Sequence, residues 1–269
     1  MPMILVEGLK VSYKWRQEPV LKGVDGKFDN KSLILGPNGS GKTTLFRAVC
    51  GLTNITEGRV LIDGRNVEDI YAEPGILSVN FPEVYSLLSV RVRDLITLYA
   101  DLSGADPSKT YAILEELGIP MELLGRRKLH ELSAGQRKAV CTAMALSMDA
   151  KHVLLDEPFE QLDPARKGRL VRYLNGYDGV VLLNTHETWL MKNLPEWDAY
   201  FMFEGRLYGS ASVEKLLNVR MTPRDEPGAV LRMEVSGKTI SLVRGEKGTL
   251  LTSLESLDRV YELALEAGA

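Results

Sequence analysis

The residues that most clearly suggest chemistry form a glycine-rich run that ends in a lysine and a threonine. The run matches the pattern G-x-x-x-x-G-K-[ST] and reads Gly36-Pro37-Asn38-Gly39-Ser40-Gly41-Lys42-Thr43. Its glycines let successive backbone N–H groups turn inward around phosphate oxygens, and a helix beginning there presents its positive N-terminal end. We expect Lys42 to bridge the β- and γ-phosphates of a nucleotide, Thr43 to ligate Mg²⁺, and Thr44 to complete the binding set.

An ordinary turn between a strand and a helix could also use several glycines. Here the run follows an apolar strand pattern at residues 31–35 and precedes a helical pattern that begins at Lys42. Gly51 lies where the C-cap of that helix is expected. This placement favours a phosphate-binding loop over a simple turn.

A second candidate site is the acidic pair Asp156 and Glu157, which ends the apolar run at residues 153–155. A carboxylate at the end of a buried strand is suited to hold Mg²⁺, the role we expect for Asp156. Glu157 beside it can orient and polarise the water that attacks the γ-phosphorus. An exposed acidic turn is the alternative, and the phosphate loop upstream argues against it.

Composition sets the class of protein in which these sites must operate. The chain has 269 residues, 45% of them apolar, and a net charge of −3, which is ordinary for a globular protein and does not suggest a nucleic-acid-coating one. Cys50 and Cys141 are too few for a disulfide framework. The longest uncharged apolar stretch, residues 139–148, is about half of the roughly 20 residues that a membrane span requires. We therefore expect a soluble protein, with any membrane role supplied by a partner.

The elements that must position the two sites alternate between strand and helix. Residues 88–148 are mostly helical in pattern, and the continuous apolar strands at 153–155 and 180–183 follow them. Uninterrupted apolar strands separated by helices indicate a buried parallel sheet, and so the α/β class.

The C-terminal part of the sequence has a different composition. Residues 219–228 hold two prolines, a glycine and four charges, which predicts a linker. Beyond it, residues 229–235 and 239–244 predict a hairpin, and an apolar stripe from Leu254 to Ala264 predicts an amphipathic helix. We expect residues 219–269 to form a small α+β appendage.

A third motif makes the chain resemble a known family. Leu132-Ser133-Ala134-Gly135-Gln136 is similar to the LSGGQ signature of ATP-binding-cassette (ABC) ATPases, with alanine in place of one glycine. It lies between the phosphate loop and the acidic pair, which is the family's order. Residues 161–163 resemble the D-loop, and His186 resembles the switch histidine. The resemblance covers about residues 3–215 and rests on several ordered motifs.

The resemblance implies a fold and a domain organisation. It implies a P-loop NTPase core of the ABC type, in which a mixed sheet carries an antiparallel β edge and a helical subdomain. The ATPase domain is expected at residues 1–218, with the helical subdomain at about 88–148 and the appendage at 219–269.

The resemblance also implies roles for residues around the nucleotide. Ser133, Gly135 and Gln136 are expected to contact the γ-phosphate of an ATP bound by the opposite subunit. His186 is expected to hydrogen-bond the γ-phosphate, which makes Lys42, Glu157 and His186 the predicted catalytic residues. Tyr13 is expected to stack on adenine, with Trp15 as a competitor and a core strand position as the alternative reading of Tyr13.

One position departs from the family pattern. The family places a glutamine that contacts Mg²⁺ and the attacking water before its helical subdomain, and Asn80 occupies that place. Asparagine keeps the amide but is shorter by one methylene, about 1.5 Å. Asn80 is thus an expected metal contact, either with a shift or through a water.

The function implied is a Mg²⁺-dependent ATPase that powers an ABC transporter. ATP is expected to close two cassettes head-to-tail, and a separately encoded transmembrane permease to dock at the loop of residues 81–89. The expected location is cytoplasmic, peripheral on the inner face of the cell membrane, and no nucleic acid partner is expected. The alternatives are a soluble ABC ATPase in assembly or repair, such as iron–sulfur cluster assembly, and a nucleotide-binding regulatory subunit. Retention of Lys42, Asp156, Glu157 and His186 argues against the regulatory subunit.

Overall fold

The chain folds into two compact units in a computed structural model that describes residues 2–71, 73–254 and 256–266. The first unit combines residues 3–69 with those from 184 onward, and the second contains residues 70–183. In the described residues, no helix has both the length and the apolar character needed to cross a bilayer.

The strands are β1 (Ile4–Val11), β2 (Leu21–Phe28), β3 (Ser32–Leu35), β4 (Glu57–Ile62), β5 (Arg65–Asn66), β6 (Leu77–Val79), β7 (His152–Asp156), β8 (Val180–Thr185), β9 (Asp198–Phe203), β10 (Arg206–Ser212), β11 (Val219–Thr222), β12 (Leu231–Val235), β13 (Lys238–Arg244) and β14 (Thr249–Leu250). The helices are α1 (Lys42–Val49), α2 (Pro82–Tyr85), α3 (Val92–Ser103), α4 (Pro107–Glu116), α5 (Met121–Leu124), α6 (Ala134–Ser147), α7 (Pro164–Gly176), α8 (Val213–Leu216) and α9 (Arg259–Glu266). Short 3₁₀ turns lie at Val67–Ile70, Leu129–Glu131, Thr188–Asn193 and Leu251–Ser253.

The first unit contains the predicted antiparallel edge. Its strands are ordered β2-β1-β4-β5, and β1 pairs antiparallel with both β2 and β4. The strand β3 is buried along its whole length and runs parallel to β9, which pairs antiparallel with β10. Burial on both faces explains why the sequence of β3 is apolar without alternation.

The helix α1 begins directly after the glycine-rich run, as predicted. Gly41 precedes it with φ 110°, a left-handed conformation that glycine adopts without steric cost. The helix buries Leu45, Phe46 and Val49 on one face and ends before Gly51. The strand–loop–helix arrangement that a phosphate loop requires is therefore present.

The second unit carries most of the helices. Its strands β6 and β7 are parallel, and α6 is buried along most of its length. The helix α4 packs against α6 and α3. The mostly helical character predicted for residues 88–148 is confirmed by α3, α4, α5 and α6.

The C-terminal segment differs from the prediction in the linker and in the helix, since α9 begins at Arg259 and both Leu254 and Leu257 lie before it. The predicted hairpin is confirmed by β12 and β13, which join an antiparallel sheet ordered β12-β13-β11-β14. However, β11 occupies the first part of the predicted linker, so the chain pairs there instead of crossing freely.

This segment also packs within the first unit. The ring of Tyr261 meets that of Phe203 edge-on at 6.0 Å between centroids, and the Tyr208 hydroxyl donates to the Glu234 carbonyl at 3.2 Å. Of the predicted apolar stripe, Leu254, Leu257, Val260 and Ala264 are buried and Tyr261 is half-buried. The boundary at 218/219 stays a prediction, while the segment after it shares the core of the unit that holds the phosphate loop.

Candidate functional site

The phosphate loop joins β3 to α1 and is fixed at both ends by backbone hydrogen bonds. The Gly36 N–H donates to the Thr185 carbonyl at 3.2 Å, and the Gly205 N–H donates to the Ser40 carbonyl at 2.9 Å. A Cβ atom on Gly36 would lie 2.4 Å from the Met202 carbonyl oxygen, so only glycine fits there. The sequence spacing therefore produces a rigid loop.

The Lys42 ammonium is folded over this loop. Only 6% of the residue is exposed, and Nζ donates to the Gly36 carbonyl at 2.7 Å and to the Pro37 carbonyl at 3.0 Å. The hydrogen bonds of a lysine ammonium become stronger when phosphate oxygens replace neutral carbonyls as acceptors, because hydrogen bonds between two ionised groups are stronger. Lys42 is thus poised beside the place where phosphates are expected.

The loop also contains a buried hydroxyl that lacks a protein partner. Within the described residues, Ser40 Oγ is buried and makes no hydrogen bond. Asn38, Gly39 and Thr43 are exposed, and Thr44 is half-buried. Buried polar atoms are normally paired, so an unpaired hydroxyl beside exposed loop residues fits a site built for a polar ligand.

The acidic pair lies in the second unit at the end of β7. The strand is buried from His152 to Leu155, and Asp156 and Glu157 are half-buried. Glu157 has φ 45°, a left-handed conformation that is uncommon for residues other than glycine. The oxygen donors Thr43 and Asp156 are of the type that Mg²⁺ prefers.

The structure assigns the Asn80 amide to protein contacts. Asn80 is fully buried, and its Oδ1 accepts from the Asp156 N–H at 2.7 Å. Its Nδ2 donates to Thr142 Oγ1 at 3.1 Å and to the Asp156 carbonyl at 3.3 Å. The side chain as placed holds the backbone of Asp156, so the expected metal contact of Asn80 finds no support in this geometry.

The signature residues form the N-terminus of α6. Ser133 is its N-cap: Oγ accepts from the Gln136 N–H at 3.2 Å, and the Gln136 side chain accepts from the Ser133 N–H at 3.1 Å. This reciprocal capping box fixes the helix start. A Cβ on Gly135 would lie 2.8 Å from the Gln161 side-chain oxygen, so the glycine allows the predicted D-loop to approach.

That D-loop ends at Asp163, which caps α7. The Asp163 carboxylate accepts from the Arg166 N–H at 3.0 Å, and this backbone hydrogen bond lowers the pKa of the carboxyl. The carboxylate is therefore held in its charged form, which suits the start of a helix.

His186 and Tyr13 lie in the first unit. His186 is half-buried directly after β8, and the next N–H, that of Glu187, donates to Thr185 Oγ1 at 3.1 Å. Tyr13 lies beyond the end of β1 and is half-buried, which excludes the alternative of a core strand position. Its ring stacks on that of Trp15 at 4.8 Å and 13°, so the two candidates for adenine stacking form one aromatic pair.

With this geometry established, the relatives of the chain can be compared. The ABC transporter family model matches residues 23–160, more than half of the chain. The chain belongs to the ABC transporter family.

Individual members of the family agree with this assignment. The energy-coupling factor transporter ATP-binding protein EcfA of Methanoculleus marisnigri is 33% identical over 230 residues, which cover 80% of this chain and 81% of that protein. The taurine import ATP-binding protein TauB of Pseudomonas syringae pv. tomato is 34% identical over 167 residues, which cover 61% of this chain and 63% of that protein. A crystal structure of a protein assigned as a cobalt transport ATP-binding protein (cbiO-2) has a TM-score of 0.88 and 36% identity, and covers 97% of this chain and 99% of that one.

This ABC cassette is therefore the ATP-binding and ATP-hydrolysing subunit of a multi-component ABC transporter, and its fold is the P-loop ABC core.

Sequence reasoning missed two residues near its motifs. Lys138 Nζ donates to the Asp156 carbonyl at 2.7 Å, and the Asp258 carboxylate accepts from the Asn38 N–H of the phosphate loop at 3.3 Å. Neither residue belongs to a motif, and the Asp258 contact spans 220 residues of sequence.

Proposed function

We propose that this subunit is a Mg²⁺-dependent ATPase that closes head-to-tail on a second cassette when ATP binds. The observation that carries the proposal is the phosphate loop, with its buried, unpaired Ser40 hydroxyl and with Lys42 folded over it. In the proposed roles, the residues of the loop from Gly36 to Thr44 bind the phosphates, Tyr13 stacks on adenine, and His186 contacts the γ-phosphate.

The second unit supplies the acidic residues of this proposal. Asp156 and Thr43 hold Mg²⁺, which offsets the negative charge of the phosphates. Glu157 accepts a proton from the attacking water as it orients it. Asp156 is the last residue of the strand β7 and Glu157 follows it, so both carboxylates lie at the end of a buried strand.

The head-to-tail dimer is supported by the placement of the signature. Ser133 and Ala134 are exposed at the start of α6, a 14-residue helix. A helix N-terminus favours an anion. A second cassette would complete its site with Ser133, Gly135 and Gln136 of this one.

The membrane partner is proposed to dock at the loop before α3. Leu87 is 83% exposed, and Leu88 and Val90 are also exposed large apolar residues. Adjacent exposed apolar residues indicate an interaction surface. Docking there would hold the subunit in the cytoplasm, at the inner face of the membrane. We propose no nucleic acid partner.

The type of transporter is proposed from the relatives. EcfA belongs to an energy-coupling factor transporter and matches 80% of this chain, so we place this cassette in a transporter of that type. The structure assigned to cobalt transport covers 97% of this chain, which supports an appendage at residues 219–269 that the two proteins share. The alternative of a soluble assembly or repair ATPase gains no support from these relatives.

Size-exclusion chromatography with light scattering tests the proposal. Glu157→Gln should bind Mg-ATP, fail to hydrolyse it and accumulate as a dimer, whereas Glu122→Gln, an exposed acid on α5, should behave as the wild type. A Glu157→Gln protein that binds ATP but stays monomeric at every concentration would overturn the proposed dimer.

A further inference from the structure

The peptide that joins Asp156 to Glu157 is held from two sides by side chains. On one side, the buried Asn80 amide donates to the carbonyl of this peptide, that of Asp156, at 3.3 Å, and it also accepts from the N–H of the preceding peptide, that of Asp156, at 2.7 Å. On the other, Lys138 Nζ donates to the same carbonyl at 2.7 Å. This carbonyl therefore accepts two hydrogen bonds from separate parts of the fold. Asn80 directly follows the strand β6, and Lys138 lies on the helix α6.

The residue after this peptide has an unusual conformation. Glu157 has φ 45°, which few residues other than glycine adopt because Cβ approaches the backbone. Such conformations persist only where surrounding structure imposes them, and they cluster at functional sites. Because the peptide bond is planar, holding the Asp156 carbonyl fixes the plane from which φ of Glu157 is measured.

These two side chains therefore contribute to the direction of the Glu157 carboxylate, together with the Glu160 N–H, which donates to the Glu157 carbonyl at 3.3 Å. If the Asp156 carbonyl were released, Glu157 could relax towards an ordinary conformation and its carboxylate would swing away from its present direction. Asp156 is the last residue of β7, and Glu157 lies beyond the strand.

We propose that Asn80 and Lys138 are positioning residues that hold Glu157 in the conformation in which it polarises the attacking water. The inference rests on the proposed role of Glu157 and assigns a function to the asparagine that stands at the family's glutamine position. Lys138 also belongs to α6, the helix that begins with the signature, so the water-polarising residue and the signature share one polar link.

Kinetics of Lys138→Met test this directly, because Lys138 is half-buried and its removal leaves the core intact. Loss of one hydrogen bond from a charged donor should lower kcat about tenfold or more, while the Kd for a fluorescent ATP analogue changes less than about twofold. Lys138→Arg keeps a charged donor and should recover much of kcat. Lys151→Met, an exposed lysine just before β7, is the matched control and should leave kcat unchanged.

A double-mutant cycle separates positioning from a general structural effect. If Lys138 acts through Glu157, Lys138→Met should add little to the loss caused by Glu157→Gln, since interacting residues are not additive. An equal fold-loss in both backgrounds, or an unchanged kcat in Lys138→Met, would overturn the proposal.

Hydrogen exchange gives a readout that does not depend on hydrolysis. Asn80→Ala removes the acceptor of the Asp156 N–H, so a peptide covering residues 153–159 should exchange faster than in the wild type, with peptides of α4 unchanged. Unchanged exchange there would refute the positioning role of Asn80 even if the protein hydrolyses ATP. A wild type that hydrolyses no ATP would instead refute the proposed function. Faster exchange in Asn80→Ala would then still show that Asn80 holds the Asp156 backbone.

Discussion

Truncating Leu257 to alanine tests whether the C-terminal segment belongs to the core of the first unit. Leu257 is 0% exposed and lies between the 3₁₀ turn at Leu251–Ser253 and α9. Leucine-to-alanine changes in protein cores cost about 2–5 kcal/mol, the lost burial plus the cavity that remains. For a protein of this size each kcal/mol lowers the melting temperature by about 2–4 °C, so a central cost of about 3 kcal/mol predicts a decrease of about 6–12 °C.

Thermal unfolding followed by circular dichroism measures this decrease. The matched control is Leu52→Ala, the same change at a leucine of the first unit that is 46% exposed, which should cost about 0.5 kcal/mol or less. If Leu257→Ala melts within 2 °C of Leu52→Ala, on the scale of about 2–4 °C per kcal/mol, the segment is not part of the core and the reasoning fails. If the reasoning holds, a chain ending at residue 218 should lose stability, because it uncovers the surface against which this stripe packs.

Three further outcomes follow from the site. Gly36→Ala should weaken ATP binding by about tenfold or more, because the added Cβ lies 2.4 Å from the Met202 carbonyl and must displace the loop, whereas Gly176→Ala meets nothing within 4 Å and should bind normally in a fluorescent nucleotide titration. Asp258→Asn should tighten ATP binding about two- to fivefold, since it removes a negative charge beside the Asn38 N–H, and calorimetry should show no such gain for the exposed Glu246→Gln. Burial raises the pKa of the Cys141 thiol to about 12, so this thiol stays protonated at neutral pH. Native protein should therefore be alkylated at Cys50 alone, and both cysteines should be modified in denaturant. Equal labelling of Cys50 and Cys141 in the native protein, seen by mass spectrometry, would contradict this.

The parts of the fold that the sequence predicts are those set by short-range spacing. The phosphate loop and α1 follow from glycines, a lysine and an apolar face within a few residues of one another, and the hairpin of β12 and β13 follows from Ser236 and Gly237 at its turn. In each case the residues that form the contact are also neighbours in the sequence.

The parts that sequence reasoning missed depend on contacts between distant residues. The approach of Asp258 to the phosphate loop leaves no local signal, because a carboxylate beside a distant backbone N–H has no spacing rule. Asn80 was identified by position, but its partners, Thr142 and the Asp156 backbone, lie more than 60 residues away. Only the fold shows that its amide is satisfied by the protein.

The linker prediction was wrong for residues 219–222 for a similar reason. Prolines, glycine and charges indicate a break in secondary structure, but they do not show that Val219–Thr222 pairs with β13. Composition reports the local preference of a segment, whereas strand pairing depends on a partner elsewhere in the chain.

Phosphate release from Mg-ATP, measured on the wild type and on Glu157→Gln at saturating nucleotide, tests the central claim most directly. The account predicts turnover that requires Mg²⁺ in the wild type and a loss of about a hundredfold or more in Glu157→Gln, the contribution expected of a positioned general base, with ATP affinity retained. Near-normal turnover in Glu157→Gln, or a wild type that binds ATP and never hydrolyses it, would contradict the account.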